Sequence, residues 1–329
     1  MKTYPFISVV IPVKNGQELI KQCLNSLNQL NYPKNRLEII IADGRSQDQT
    51  KKISLSLGAK VIDNPKSLVV SGRNLGFKVA KGSLIAFSDV DCTFDKNWLK
   101  NTLKYFENPK VGGVSGPNLI PEYERPFGKA VGLIFNIAFF FNAGSPTSQH
   151  QKIIKSRSHG SNAIYRYQAL KKAMPVDEGM VEGEDVLMTE SIVKAGYRLL
   201  YVPDVIVTHF RRSTPNRWFN QMMRYAQAKI LLKRKRVKKI TPTQNLVGLF
   251  LPFLVLILLF SVIFPSFIPI ILKTILITNL CLLAYALFLS KSVIIALNLV
   301  YAVLIMFFAW SFGYTKELLL GTGKKWNYK

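Results

Sequence analysis

The sequence predicts an α/β domain built on a mostly parallel sheet, followed by a helical membrane region. Three observations carry this. Strand-length apolar runs alternate with helix-length patterns in the first part of the chain, acidic residues stand at the ends of those runs, and charge nearly vanishes from the last quarter. Of the 329 residues, the first 240 hold 38 Lys and Arg and 18 Asp and Glu, whereas the last 89 hold six Lys, no Arg and one Glu.

The elements follow in order. Ile7-Ser8-Val9-Val10-Ile11-Pro12-Val13 reads as a buried strand. Residues 18–30 carry apolar positions at helical spacing, 37–42 form a second apolar strand, 48–57 a helix, 60–62 a short strand, 72–80 a helix and 84–88 a further strand. Strand and helix in alternation imply right-handed crossovers and a parallel sheet, with ligands expected at the carboxyl ends of the strands. About 240 residues suffice for one large core.

The loops after those strands hold the candidate chemistry. Asp89 and Asp91 follow the run 82–88, and carboxylate oxygens suit hard cations such as Mg2+ or Mn2+, although paired Asp residues also simply end strands. Asp43 ends the second strand and can accept from a base or ribose donor, with Gly44 allowing a tight turn. Asp48 suits an N-cap of the next helix. Ser71-Gly72-Arg73-Asn74 sets a cation and an amide beside an expected helix start, where phosphate oxygens are well bound.

Taken together, residues 8–15, 42–50, 72–76 and 87–91 resemble the nucleotide-binding half of glycosyltransferase family 2, with its GT-A fold, over residues 1 to about 230. The resemblance implies that Pro12 and Asn15 line a base and ribose pocket and that Asp43 holds the base. It further implies that Arg73, with Asn74 beside it, sits near the diphosphate and that Asp89 and Asp91 form the metal motif, Asp89 also facing the nucleotide sugar. Arg45 stands where many members carry a small or acidic residue, so the base stays open.

The acceptor side resembles the family at residues 158–166, which contain Gly160, Ser161 and Asn162, and at Gly183-Glu184-Asp185. Glu182, Glu184 and Asp185 place three carboxylates within four residues, an arrangement favoured beside a cation or substrate and equally by a helix N-terminus. Asp185 is the expected general base and Glu184 its rival. His209 follows an apolar stretch, where family members often face the metal; a lone His is also an ordinary packing residue. Gln221, Arg224 and Tyr225 resemble the acceptor-capping Gln-x-x-Arg-Trp motif of processive synthases with Tyr in place of Trp, a departure that points away from polymer extrusion.

Residues 246–264, 267–289 and 293–312 are each near the roughly 20 residues needed to cross a bilayer, so about three spans are expected; two spans plus a re-entrant first segment is the alternative. The catalytic domain is expected over 1–228, a basic juxtamembrane segment over 229–245 and a basic tail over 313–329. Seven of the eleven residues in 229–239 are basic, which sets that end on the cytoplasmic side and attracts anionic lipids. No secretory signal is expected, since residues 6–13 are too short an apolar run. Residues 128–144 read as an interfacial helix or as a core helix of the catalytic domain.

The net charge of +25 is accounted for by the juxtamembrane cluster, so nucleic acid is not an expected partner. Cys23, Cys92 and Cys281 show no metal-ligand spacing and indicate a reducing compartment. The expectation is therefore a multi-pass, cytosol-facing, metal-dependent inverting enzyme moving a sugar from a nucleotide sugar, UDP-sugar first, to a polyprenyl- or dolichyl-linked acceptor. A polyprenyl- or dolichyl-phosphate monoglycosyl synthase and a non-catalytic membrane scaffold are the alternatives.

Overall fold

A computed structural model of the chain describes residues 4–136, 153–154, 160–180, 182–210, 214–237 and 239–321. The chain forms two units, one comprising described residues of Met1–Pro121 and Ala143–His209, the other those of Glu122–Asn142 and Phe210–Trp326.

The first unit opens with strand β1 (Ile7–Val13), helix α1 (Gln17–Asn28), β2 (Leu37–Asp43), α2 (Thr50–Ser56), β3 (Lys60–Asp63), α3 (Val69–Val79) and β4 (Leu84–Ser88). It continues through β5 (Cys92–Phe94), α4 (Trp98–Phe106), β6 (Val111–Ser115) and β7 (Asn118–Leu119). After the segment that belongs to the other unit come β8 (Ile153–Ile154), β9 (Asn162–Arg166), α6 (Tyr167–Leu170), α7 (Glu184–Lys194), β10 (Arg198–Tyr201) and β11 (Val207–His209), the label α5 being kept for Pro126–Asn136 of the second unit.

Eight strands pair in the order β3-β2-β1-β4-β9-β6-β10-β8. The first four run parallel, as the alternating pattern requires, while β9 is antiparallel to both β4 and β6. A second sheet pairs β5-β11-β7. Alternate residues of β1 feed opposite cores: Ile7, Val9, Ile11 and Val13 pack with Ile20, Cys23, Leu24 and Leu27 of α1, whose i, i+3, i+4, i+7 spacing makes one apolar face, and Val10 packs with Ile85 and Phe87 on the other side. Pro12 is buried in this strand and tolerated because β4 pairs only with Ile7–Val10, so no partner on that edge calls for its missing N–H.

The second unit holds α5, α8 (Pro215–Arg234), α9 (Pro242–Gly248), α10 (Phe250–Ile263), α11 (Ile268–Ser290) and α12 (Val293–Leu320). Its core joins Phe127, Ala130, Val131 and Ile134 of α5 to Trp218, Met222 and Ala226 of α8 and to Ala302, Met306, Ala309 and Trp310 of α12. Helix α5 covers the described part of residues 128–144 and packs in the core of this unit; residues 137–144 lie outside the described residues. Small side chains let α8 and α12 approach closely, and Trp218 Nε1 donates to the Ala302 carbonyl at 2.9 Å.

Among the described residues two helices, Pro265–Ser290 and Val293–Leu320, are long and apolar enough to cross a membrane; α9 and α10 pass that test only together and are bent by 52°. Ser311 secures the bend, accepting from the Leu251 N–H at 2.9 Å and donating to the Gly248 carbonyl at 2.8 Å. The last helix runs on past Phe312 to Leu320, because the one acid of this region, Glu317, is buried against Arg234 instead of lying in a tail.

Candidate active site

The carboxyl ends of β1, β2 and β4 meet at one edge. Asn15, at φ +51°, accepts from the Gln47 N–H at 2.9 Å and thereby joins the loops after β1 and β2. Asp48 caps the turn before α2, taking the Thr50 N–H at 3.0 Å and the Gln17 N–H at 3.1 Å. Asp43 is buried; one oxygen accepts from the Ser46 N–H at 3.2 Å, and among the described residues Oδ1 has no protein partner.

Helix α3 begins at Val69, three residues before the expected start, so Arg73 lies within it and not at its N-terminus. Its guanidinium is buried beneath the acids: Nη1 donates to Glu184 Oε1 at 2.5 Å, Nη2 to Asp89 Oδ1 at 3.1 Å and to the Gly160 carbonyl at 3.0 Å. Gly160 leaves room for this approach: a Cβ there would meet Arg73 Nη1 at 2.8 Å and displace the guanidinium. Burial opposes the Arg73 charge, and Glu184, Asp89 and Asp185 outweigh it and raise its pKa.

Asn74 is likewise committed inside the fold, where it exchanges hydrogen bonds of 2.9 Å with the Val176 carbonyl and N–H. Asn162 is fully buried, accepting from Trp98 Nε1 at 2.9 Å and donating to the Pro117 and Val205 carbonyls, while Ser161 takes the Asn118 amide on its hydroxyl and Ser88 on its carbonyl. They hold β9 to its neighbours. Ser158, His159, Arg211 and Arg212 lie outside the described residues.

Glu184 and Asp185 occupy the first turn of α7, which Gly183 enters at φ +83°. Burial raises the Glu184 pKa to about 8, against the pull of Arg73 and with help from Asp185 and Glu182. Asp185 Oδ1 accepts from the Val186 N–H at 2.8 Å.

The small sheet brings Asp91 to His209. Strand β11 pairs antiparallel with β5, setting His209 opposite Cys92, and His209 Nε2 lies 3.1 Å from Asp91 Oδ1. The ligand atoms of Asp91, Cys92 and His209 all lie within 4.8 Å of one another. For a hard dication the Asp91–His209 pair fits: donors about 2.1 Å from one ion at right angles stand about 3 Å apart. Cys92 does not fit that ion, because burial and then the Asp91 and Asp89 charges hold its thiol pKa well above the ordinary value. Asp89 is engaged by Arg73 and stays outside the group. Cys92 was missed because a three-residue strand pairing across the chain leaves no spacing signal.

Gln221, Arg224 and Tyr225 lie on α8 of the second unit, with Gln221 Nε2 donating to the Tyr225 hydroxyl at 3.2 Å.

A mixed α/β sheet with flanking helices and acids gathered at the strand ends defines a GT-A glycosyltransferase. Residues 8–173 match the model of Glycosyl transferase family 2, and the chain belongs to that family. It is 30% identical over 231 residues to "Glycosyltransferase AglE" of Haloferax volcanii, covering 68% of this chain and 71% of that protein. It is 27% identical over 254 residues to the Methanococcus voltae "Dolichyl N-acetyl-alpha-D-glucosaminyl phosphate 3-beta-D-2,3-diacetamido-2,3-dideoxy-beta-D-glucuronosyltransferase", covering 70% and 74%. Among solved structures, the Pyrobaculum calidifontis mannosyltransferase PcManGT, in complex with GDP-Man and Mn2+, superposes with a TM-score of 0.59 at 18% identity, over 93% of this chain and 88% of that one.

Proposed function

We propose that this glycosyltransferase moves a sugar with inversion from a nucleoside-diphosphate sugar, UDP-sugar first, to an acceptor carried on a polyprenyl- or dolichyl-type lipid. The observation that carries the reading is Arg73, which joins Asp89 at the end of β4 to Glu184 at the start of α7 and so sets the donor edge beside Asp185. Asp43 Oδ1 supplies the acceptor for a base donor, and Asn15 orders the loop around it. Asp91 and His209 would hold Mn2+ or Mg2+, the imidazole favouring Mn2+. When bound, the cation offsets the charge that builds on the departing diphosphate. Glu184, whose pKa is raised by burial, is suited to the neutral role of the pair, which leaves the base role to Asp185. The acceptor class is supported by the Methanococcus voltae relative, whose name specifies a dolichyl-phosphate-linked sugar.

The reading is tested with two variants of the full chain in detergent. Asp91→Asn is expected to abolish Mn2+-dependent donor binding by calorimetry. Asp185→Asn should leave that binding within about twofold and lower turnover by about 10²–10⁴, the usual worth of a positioned base. Unchanged donor affinity in the first variant removes the metal assignment, and wild-type turnover in the second removes the base.

The membrane arrangement that fits is two crossings with both ends on one side. Arg234 Nη1 lies 2.6 Å from Glu317 Oε1, and the Tyr314 hydroxyl donates to Asn245 at 2.7 Å, so the start of the apolar region packs against the end of α12. With 14 residues, α10 is only about 21 Å long, short of the ~30 Å hydrocarbon core, whereas α11 and α12 suffice as an antiparallel pair. The basic cluster at 229–239 makes that shared side the cytoplasmic one. Single cysteines at Arg236 and Gly321 should react with an impermeant maleimide from the same face of sealed vesicles; reaction from opposite faces sinks the two-crossing arrangement.

A further inference from the structure

The residue beside the expected metal motif is a cysteine, and its thiol is the one soft ligand within reach of the cation pair. Strand pairing sets Cys92 opposite His209, with Sγ 4.0 Å from Asp91 Oδ1 and all three ligand atoms within 4.8 Å. We propose that Asp91, Cys92 and His209 form a second coordination mode of the same site, one that takes Zn2+ through the Cys92 thiolate and shuts the donor site. This rests on the reading of Asp91 and His209 as the cation pair.

The chemistry separates the two modes. A hard dication takes the carboxylate and imidazole and leaves the thiol protonated. Zinc forms strong bonds to carboxylate, imidazole and thiolate together, at about 2.0–2.3 Å, so a tetrahedral ion needs ligand atoms about 3.4–3.7 Å apart. The 3.1 Å from His209 to Asp91 and the 4.0 Å from Cys92 to Asp91 bracket that value, and the third separation is within 4.8 Å, so a small shift of side chains completes the tetrahedral set. As the Zn–S bond forms, the Cys92 sulfur gives its proton to solvent, and no electron is transferred. His209 binds as neutral imidazole and Asp91 as carboxylate.

Charge then decides the consequence. A dication on Asp91 and His209 alone keeps a net positive charge to offer a diphosphate. With the thiolate added, carboxylate and thiolate cancel the charge of the ion, and the attraction for the diphosphate is lost. Asp89 does not compensate, because its carboxylate already faces Arg73 at 3.1 Å. In the absence of zinc the thiol is buried in β5, packs within the core cluster and lies 3.9 Å from the Ser161 carbonyl.

The test uses the full chain in detergent and the metals alone. Zn2+ affinity is measured by competition with a chromophoric chelator, and Co2+ loading is followed for thiolate-to-metal charge-transfer absorption. The wild type should show the charge-transfer band, and Zn2+ should displace Mn2+. Cys92→Ser should lose the band and weaken Zn2+ binding about tenfold or more while Mn2+ affinity stays within about twofold. Cys92→Ala, with its melting temperature checked, guards against a folding defect in the serine variant. A wild type without the band, or a Cys92→Ser protein with undiminished Zn2+ affinity, overturns the proposal. If Mn2+ binds and the band is missing, only the zinc mode fails; if Mn2+ binding is absent as well, the Asp91–His209 pair itself fails.

Discussion

Arg73 Nη1 lies 2.5 Å from Glu184 Oε1, a contact 111 residues apart in sequence that ties helix α3 to the first turn of α7. The same guanidinium reaches Asp89, so one buried cation ties the end of β4 to the start of α7. Arg73→Met leaves two acids without their donor. The cost should be about 3 kcal/mol, the low end for a broken buried pair, because Glu184 can take up a proton and Asp89 partly reaches water. Thermal unfolding in detergent should show a fall of about 6–12 °C. Arg73→Lys should recover only part of it, since one ammonium cannot reproduce the planar fork. A melting temperature unchanged in Arg73→Met contradicts the bridging role.

Glu184 makes stability depend on pH. Its pKa is raised from 4.5 to about 8, chiefly by burial, so the folded chain keeps a proton that the unfolded chain releases. That contribution is whole below the ordinary value, declines as pH rises and is gone above about 8. Between about pH 5 and 8 the wild-type melting temperature should therefore fall relative to that of Glu184→Gln, which has no proton to lose there. Parallel curves for the two proteins speak against a raised Glu184.

Asn162 and Gln221 were both expected at the acceptor, and they separate on one measurement. Asn162→Ala strands the Trp98 indole N–H and the Pro117 and Val205 carbonyls inside the protein. Each buried group left unsatisfied costs about 1–3 kcal/mol. Gln221→Ala removes a bond to the Tyr225 hydroxyl in a part-buried setting and should cost about 1 kcal/mol. Melting temperatures in the reverse order refute the assignment of Asn162 to the scaffold.

The parallel strands and the acids at their ends were legible because a buried strand is a continuous apolar run and the first polar residue after it marks the edge. The start of α3 was not, since Val69 and Val70 read equally as strand. Asn162 is ambiguous for a different reason: a satisfied buried amide and an exposed binding amide look alike in sequence, and its partners Trp98, Pro117 and Val205 are what the fold adds. Cys92 depended on its pairing with His209, 117 positions away in the chain. In the membrane region, apolar length was plain, but the bend between α9 and α10 depends on Ser311, whose two hydrogen bonds to Gly248 and Leu251 no hydropathy pattern records.

Gly313 sets the closest approach of α12 to α8. A Cβ there would stand 2.2 Å from the Met223 carbonyl oxygen and 2.9 Å from its Cα, and backbone atoms of a packed helix cannot swing aside. Gly313→Ala must push the two helices apart along a contact that also includes Trp218 and Ala302, so overpacking of about 1–3 kcal/mol is expected. Gly196→Ala is the control: its φ of +88° carries a backbone penalty of about 1 kcal/mol, but nothing lies within 4 Å of the added carbon. Limited proteolysis of Gly313→Ala should accelerate within residues 215–320 while donor binding, which uses the first unit, keeps its wild-type affinity. Equal melting temperatures for Gly313→Ala and the wild type would show that the α8–α12 contact tolerates a methyl group and is looser than the geometry requires.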